Sequence, residues 1–456
     1  MTPLLAESAE NAKALPGLRL QDSSGGPSEA SRAAVHPSTR RTILLTFLAI
    51  AMLAASLWHL SEIDDRWPSS RSDLVPVWVG MRAIFAGQNP YSDASTLASQ
   101  VTYYGHRLGA KDGIRNPMGF AYPAYTAVVL GWIAPLSWPA ARLLVLILFA
   151  AMIAASVPLW IDVVGLRLTR AEGALCVLFV MASWPVMWAL RMQQLSIVVA
   201  ACVALGCFLL KRNRNAAAGV VLALATIKPQ LVALLLAWLV LWAFLNRRWK
   251  FLASLAAAEA LLFAAAEWLS PGWVPRWVQA GNELLRYTHQ VPALQDSFGK
   301  IAGGVLMAAL AAITAVGLWR LRKTPADSAD FGAAIALALG TTVALMPSFL
   351  FMNYNQMFLI PALLILIYRS RASFWRGLAL AFAAWGFLSV MIFAVLELHW
   401  HSLVLITIPF WNPLFPAVVA GALALEVVQF KAPNRIGPFV VNRRPGAAAQ
   451  AESVLG

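Results

Sequence analysis

Charged residues are scarce in this sequence. Only 12% of its 456 residues are Asp, Glu, Lys or Arg, whereas 60% are hydrophobic, and the mean hydropathy is +0.68. This composition excludes an ordinary soluble domain, which is far less apolar. Cysteine is scarcer still: the only three, Cys176, Cys202 and Cys207, lie in apolar segments without the spacing of metal ligands. The sequence therefore predicts small buried side chains at these positions, with neither a disulfide framework nor a metal site.

Motifs for nucleotide binding and for a serine nucleophile are also absent. The sequence has no Walker A loop, no glycine-rich dinucleotide fingerprint after a strand, and no nucleophile elbow. We therefore predict no cofactor, and the energy for any reaction must come from the membrane side or from a partner.

Long apolar runs are what the sequence has in place of charge. A helix needs roughly 20 apolar residues to cross a bilayer, and runs near that length recur along most of the chain. They predict an all-α polytopic membrane protein with about 10–13 transmembrane or re-entrant helices. The predicted spans are 41–59, 120–138, 142–165, 172–190, 195–210, 216–245 (broken), 251–268, 300–319, 331–350, 356–369, 374–395 and 404–428.

The basic residues fall in short segments between these runs. The formal net charge is +14, which in a soluble protein would suggest nucleic acid, but here the distribution follows the positive-inside rule of membrane proteins. We therefore predict no nucleic-acid partner and place the basic segments in the cytoplasm. These segments are residues 211–214, 247–250, 320–323, 369–376 and 431–444.

The same charges divide the chain into three parts. Residues 1–39, rich in Ala, Ser, Gly and Pro, are predicted to be a disordered cytoplasmic tail. Residues 40–430 form the transmembrane domain, and residues 431–456 form a second cytoplasmic tail. If segments 120–138 and 142–165 both cross the membrane fully, the basic residues that follow them would lie outside the cytoplasm, contrary to the positive-inside rule. A re-entrant segment at 120–138, broken by prolines, would repair this, and the sequence leaves both readings open.

Polar groups interrupt the apolar runs on the predicted outer face. Polar backbone at membrane depth is tolerated only where protein or a wet cavity covers it, so we expect these groups to converge. They are the loop that contains Asp73, residues 191–194 at the end of an outer turn predicted over 184–194, residues 228–230, residues 295–297 and residues 353–356.

Asp73 is the strongest candidate for catalysis. A carboxylate outside the membrane can act as a general base, taking the proton of an acceptor hydroxyl as that hydroxyl attacks. The alternative is an ordinary solvated loop acid. Asp93, further along the same loop, is predicted to be a helix N-cap.

Lys228 and Arg191 are candidates for binding a phosphate. An ammonium inside a membrane segment costs roughly 2.5–3.5 kcal/mol on insertion scales, so Lys228 should face a cavity, a partner or an anion. The guanidinium fork of Arg191 also suits a phosphate. Each side chain could instead extend to the outer interface. His289 could assist proton transfer or could be a solvated loop histidine, and Glu259, within an apolar span, should pair or line a cavity.

Several short motifs, in order, resemble the bacterial family 87 glycosyltransferases over roughly residues 60–370. The motifs in this sequence are Ser72-Asp73 with Gly87-Gln88-Asn89-Pro90-Tyr91, Phe120-Ala121-Tyr122-Pro123, Gln193-Gln194-Leu195-Ser196, Ala218-Gly219 with Ile227-Lys228-Pro229-Gln230, and Gln295-Asp296-Ser297-Phe298-Gly299.

The resemblance implies a GT-C-type fold, in which transmembrane helices surround a cavity open to the extracytoplasmic side. Similar family members are polyprenyl-phosphate-mannose-dependent α-mannosyltransferases. The resemblance therefore implies an inverting hexosyltransferase of the bacterial inner or plasma membrane, with a polyprenyl-phosphate sugar as donor and a glycolipid or glycan as acceptor. Asp73 is then the general base, and Lys228 and Arg191 bind the donor phosphate. The residues expected to line the substrate cavity are Tyr91, Tyr122, Gln194, Gln230, Ser297, Asn353, Tyr354 and His289.

The sequence also departs from the family pattern. The usual Tyr-Pro-Pro is Tyr122-Pro123-Ala124, the usual Gly-Gln is Gln193-Gln194, and a Ser-Trp and histidine cluster is replaced by residues 353–356. Two other classes of function stay open on the residues alone. One is a transporter or flippase of a lipid-linked or anionic solute, which inverted repeats with broken helices would favour. The other is a noncatalytic envelope assembly protein.

Overall fold

The chain folds into helices in every segment that the computed structural model describes. The described residues are 72–112, 115–288, 291–347, 352–368 and 415–428, with part of 43–57, which is helical. The tails at 1–39 and 431–456 and the predicted span at 374–395 lie outside these residues. All the helices named below belong to the unit formed by residues 45–456.

Sixteen α-helices are numbered here in chain order. They are α1 (Leu74–Phe85), α2 (Asp93–Tyr104), α3 (Thr126–Leu130), α4 (Trp138–Val163), α5 (Arg170–Ala182), α6 (Trp184–Met192), α7 (Ser196–Lys211), α8 (Asn215–Leu224), α9 (Pro229–Leu245), α10 (Trp249–Leu269), α11 (Trp273–Thr288), α12 (Ala293–Phe298), α13 (Lys300–Arg320), α14 (Ala329–Ala344), α15 (Ile360–Tyr368) and α16 (Phe415–Val428). Short 3-10 turns occupy Ala110–Asp112, Gly131–Ile133, Ala225–Ile227 and Met352–Leu359.

Helix length and composition identify the membrane-crossing elements. Within the described residues, α4, α10 and α13 are long and apolar enough to cross a bilayer, and the bent pair α5 and α6 makes a fourth span if it counts as one. The other long apolar helices are shorter than a full span, among them α7, α9 and α14. The prediction of an all-α polytopic membrane protein is confirmed.

The segment 120–138 contains no continuous helix. Its helical part is the five-residue α3 followed by the 3-10 turn Gly131–Ile133, and α4 begins only at Trp138. The prolines at 123, 135 and 139 explain the break, because proline lacks the N–H of a helical hydrogen bond and disfavours helix in the residue before it. A straight span over 120–138 is therefore wrong, and the broken alternative is the one observed.

The span predicted at 172–190 is also interrupted. Its two halves, α5 and α6, meet at Ser183 with a bend of 57°. The outer turn expected over 184–194 is wrong for most of its length, because α6 continues to Met192 and the turn begins at Gln193. Asp93 is not an N-cap either: Ser92 caps α2 by accepting a hydrogen bond from the Ser95 backbone N–H, and Asp93 is the first helical residue.

Small residues let the helices that carry the site approach closely. Gly219 in α8 faces α10, where a Cβ atom would lie 2.1 Å from Ser254 Oγ and 2.7 Å from the Leu255 backbone nitrogen. Packing through glycine is a common means of association between helices in lipid. It fixes α8, and hence the break that follows it, against the long helix α10.

Candidate active site

Asp73 is fixed at the start of α1 by the segment that ends α6. Its backbone N–H donates to the Met192 carbonyl at 3.1 Å. The preceding Ser72 is fully buried, and its hydroxyl donates to Gln193 Oε1 at 2.9 Å. These hydrogen bonds join two parts of the chain that are 120 residues apart, next to the Asp73 carboxylate. A mobile, solvated loop acid would not be held by such contacts.

The turn after α6 presents Gln194 to Asp73. Gln193 takes the left-handed conformation, with φ 50°, and ends the helix, while its side-chain amide donates to the Arg142 carbonyl of α4 at 2.6 Å. With Gln193 anchored on both sides, the next side chain turns toward α1. The Gln194 amide nitrogen donates a hydrogen bond to Asp73 Oδ2.

Lys228 reaches the other end of the same amide. It occupies the break between the 3-10 turn Ala225–Ile227 and α9, with extended backbone (φ −129°, ψ 77°), because Pro229 begins the next helix. The Lys228 ammonium donates to Gln194 Oε1 at 2.8 Å. Gln194 therefore joins a carboxylate to an ammonium, donating to one and accepting from the other.

Further contacts hold the Lys228 ammonium in place. It donates to Ser196 Oγ at 3.0 Å, and that hydroxyl donates in turn to Asn355 Oδ1 at 3.0 Å. The rings of Tyr122 and Tyr354 lie beside the ammonium. Their centroids are 5.6 and 5.5 Å from Nζ, within the range of a cation–π contact. Lys228 is only 9% exposed, so it does not extend to a free interface.

Burial shifts the acid–base chemistry of Asp73, which lies before α1 and outside the membrane-spanning helices. Burial raises the pKa of its carboxyl from 3.8 to about 6, although the nearby Lys228 ammonium and the Gln194 hydrogen bond both act to lower it. The result is a carboxylate that is ionised at neutral pH and more basic than an ordinary aspartate, as a general base needs to be.

Tyr91, in the loop between α1 and α2, contacts the segment that carries Phe120 and Tyr122. Its hydroxyl donates to the Tyr122 carbonyl at 2.7 Å, and its ring packs on Phe120 at 5.3 Å between centroids. Burial raises the Tyr91 pKa, so this hydroxyl stays protonated and acts as a donor. Tyr91 thus fixes the backbone that carries Tyr122.

Six of the predicted site residues, Asp73, Lys228, Gln194, Tyr122, Tyr354 and Tyr91, are therefore connected by the contacts described above. Arg191 is buried in the last turn of α6, Gln230 is exposed in the first turn of α9, and Ser297 is half-buried in α12. The side chains of Asn353 and His289 lie outside the described residues.

Ser72, Gln193, Ser196 and Asn355 also belong to the site but were not predicted as site residues. Each neighbours a predicted one or shares its motif in the sequence, and this adjacency was the only available signal. The hydrogen bonds from Ser72 to Gln193 and from Ser196 to Asn355 each join residues more than 100 positions apart, so no local pattern marks these pairs.

Comparison with known proteins gives one match. Residues 120–347, half of the chain, match the family model described as glycosyltransferase family 87. The match contains Tyr122, Gln194 and Lys228, whereas Asp73 precedes it. No curated protein and no solved structure matches the chain.

Proposed function

The chain belongs to glycosyltransferase family 87. We propose that this membrane glycosyltransferase moves a hexose, with mannose as the proposed sugar, from a polyprenyl-phosphate donor to an acceptor hydroxyl. The acceptor is a glycolipid or glycan. It is a multi-pass protein of the bacterial cell membrane, and its site faces the extracytoplasmic side. On that side, the expected sugar donor is a lipid-linked sugar rather than a nucleotide sugar.

Asp73 is the general base of this reaction. The acceptor oxygen attacks the anomeric carbon, its proton passes to the Asp73 carboxylate, and the bond between that carbon and the phosphate oxygen breaks. Polyprenyl phosphate leaves with the bonding electron pair. A single displacement of this kind inverts the anomeric configuration.

Lys228 stabilises the departing phosphate. An ammonium has three donors, and two of them are used on Gln194 and Ser196, so one is left for a phosphoryl oxygen. Charge that develops on the leaving group is stabilised most by a donor that is already oriented in a water-poor site. Arg191, buried at the end of α6, is proposed as a second phosphate ligand.

The observation that carries the proposal is the Gln194 bridge. If Asp73 and Lys228 met directly, the ion pair would hold the carboxylate in its ionised form and weaken it as a base. The intervening amide keeps the two charges apart while orienting both. A base and a phosphate-binding cation, separated but fixed, suit a displacement in which nucleophile and leaving group stand on opposite sides of one carbon.

A transporter or flippase is not favoured, because the family to which the chain belongs is defined by sugar transfer. A span broken at Lys228 would fit a transporter as well as a glycosyltransferase. Here the break places the Lys228 ammonium near the Asp73 carboxylate, as the proposed transfer requires.

The test is transfer of tritiated sugar by the purified protein in lipid vesicles. Polyprenyl-phosphate-mannose should label a lipid or glycan acceptor, whereas GDP-mannose without a polyprenyl carrier should not. Proton NMR of the product should show an anomeric configuration opposite to that of the donor. Labelling from the nucleotide sugar alone, or retention of configuration, would contradict the proposal.

A further inference from the structure

Glu259 is an acidic residue in an unusual place. It lies near the middle of the membrane-crossing helix α10, four residues after Leu255 and three before Leu262. Phe251, Leu255, Leu262 and Ala266 are the buried residues of this helix, so Glu259 falls on the same, inward face. Ionisable residues within spans are rare, and those that occur mark a partner or a polar cavity.

The hydrogen bonding of Glu259 is incomplete among the described residues. Its contact is with Thr226 Oγ1, 3.4 Å from Glu259 Oε2. The Thr226 hydroxyl has one proton, and a much shorter bond, 2.6 Å, directs it to the Ala223 carbonyl. A carboxylate can accept about four hydrogen bonds, so Glu259 keeps acceptor capacity for a further donor. Glu259 is only half-buried, so part of the residue remains accessible.

Aromatic rings lie close to Thr226 and along the part of α10 that follows Glu259. Tyr125 donates its hydroxyl to the Thr226 carbonyl at 2.8 Å and packs on Phe263, one turn beyond Glu259, at 5.7 Å between centroids. Trp273 lies edge-on to Tyr125 at 5.6 Å and packs on Trp277 at 5.8 Å. Phe263 is 45% exposed, and Trp277 is half-buried, so both rings keep accessible surface.

This group of residues adjoins the candidate active site. Thr226 is two residues from Lys228, and Tyr125 is three residues from Tyr122, so their backbones are within about 7 and about 11 Å of one another even if fully extended. The 3-10 turn before Lys228 and the segment before α3 thus each contribute residues to the candidate active site and to the group around Glu259.

We propose that Glu259, with Tyr125, Thr226, Phe263 and Trp277, forms a carbohydrate subsite that binds a sugar ring of the acceptor. The carboxyl accepts hydrogen bonds from ring hydroxyls, which supply the donors that Glu259 otherwise lacks. Phe263 and Trp277, whose rings keep accessible surface, pack against the apolar C–H face of the sugar, whereas the buried Tyr125 packs behind Phe263 and supports it. This inference rests on the proposed sugar transfer, because the sugar ring bound at Glu259 belongs to the same acceptor whose hydroxyl reacts at Asp73.

The test measures binding rather than turnover, so that it does not depend on Asp73. Protein in lipid nanodiscs is titrated with tritiated octyl α-mannoside below its micellar concentration, with tryptophan fluorescence as a second readout. Glu259→Leu should raise the dissociation constant about 10-fold or more, because a charged hydrogen-bonding group is lost. Glu259→Gln, which still accepts one hydrogen bond, should raise it only about 3-fold.

A matched control lies on the same helix. Glu267 is exposed and accepts a hydrogen bond from the Gly272 backbone at 2.8 Å, so Glu267→Gln should bind the glycoside as the wild type does. The Tm separates a binding role from a structural one. Glu259→Leu should unfold at the same temperature as the wild type or above it, because an apolar side chain suits the interior of a membrane protein.

Three outcomes would overturn the inference: a wild type that does not bind the glycoside, equal dissociation constants in wild type and Glu259→Leu, or weaker binding in Glu259→Leu that is accompanied by a lowered Tm. The proposed function fails on a different result, namely transfer that survives Asp73→Asn. Loss of transfer in Asp73→Asn together with unchanged glycoside binding in Glu259→Leu would leave the function standing and reject the subsite alone.

Discussion

Acidification should switch this transferase off, with a midpoint set by the environment of Asp73. The proposed base must be ionised to accept a proton, and burial places the pKa of the Asp73 carboxyl at about 6 rather than 3.8. Because the pKa is raised, the active form is lost as the pH falls through about 6, well above the range in which an ordinary aspartate titrates. The proposed donor is a phosphodiester, and neither it nor an acceptor hydroxyl changes its ionisation in this range.

The size of the effect follows from the ionised fraction. With a pKa of about 6 the carboxylate makes up about 90% of the population at pH 7 and about 10% at pH 5, so kcat/KM should fall roughly 10-fold. The assay is initial-rate transfer in nanodiscs between pH 4.5 and 8, with the integrity of the protein checked at each pH.

Lys228 variants test the cause of the shift. The Lys228 ammonium lowers the pKa of Asp73, so Lys228→Gln should move the acidic limb above pH 6, besides reducing the maximal rate. Lys228→Arg keeps the charge and should leave the limb near its wild-type position. A rate that is constant from pH 5 to 8, or a limb that moves to lower pH in Lys228→Gln, would refute this reasoning.

Two further substitutions test the supports of the site. Asn355→Leu removes the acceptor of the hydroxyl that holds Lys228, so the donor KM should rise about 3- to 10-fold, the size expected for one lost hydrogen bond, with little change in Tm. Gly219→Ala should destabilise the protein by about 1–3 kcal/mol, because its Cβ would overlap Ser254, and thermal unfolding in detergent would show a lower Tm. Gly281→Ala, where nothing lies within 4 Å of the new Cβ, is the neutral control. A donor KM unaffected by Asn355→Leu, or equal Tm values for the two glycine variants, would contradict these expectations.

The sequence predicted the helical membrane architecture well, because apolar runs of span length have few other uses. The break at Lys228 was predictable for the same kind of reason: Pro229 cannot continue the hydrogen bonding of a helix but begins one readily. The bend at Ser183 was missed. The positions of the basic residues predicted a turn over 184–194, whereas in the structure Pro185 stands in the first turn of α6, a position that helices tolerate.

The candidate site divides along similar lines. Asp73, Gln194 and Lys228 were identified from their residue types and from the order of short motifs. Their arrangement was not, because it depends on Gln194 accepting from one residue and donating to another, both distant in the sequence. Glu259 shows the limit most clearly: the sequence indicated that it needs a partner, but Thr226, 33 residues away on a separate helical turn, is found only in three dimensions.

The most direct measurement of the central claim is the single-turnover rate of sugar transfer by Asp73→Asn, compared with wild type and with Asp93→Asn. Asp93 is an exposed acid at the start of α2 and serves as the matched control. The asparagine at position 73 keeps the size of the side chain and can still pair with Gln194, but it cannot take a proton. We expect transfer to fall by about two orders of magnitude or more in Asp73→Asn, the usual contribution of a general base, and to stay at the wild-type rate in Asp93→Asn. Equal rates in Asp73→Asn and wild type, in protein that is folded and binds donor, would contradict the assignment of the base.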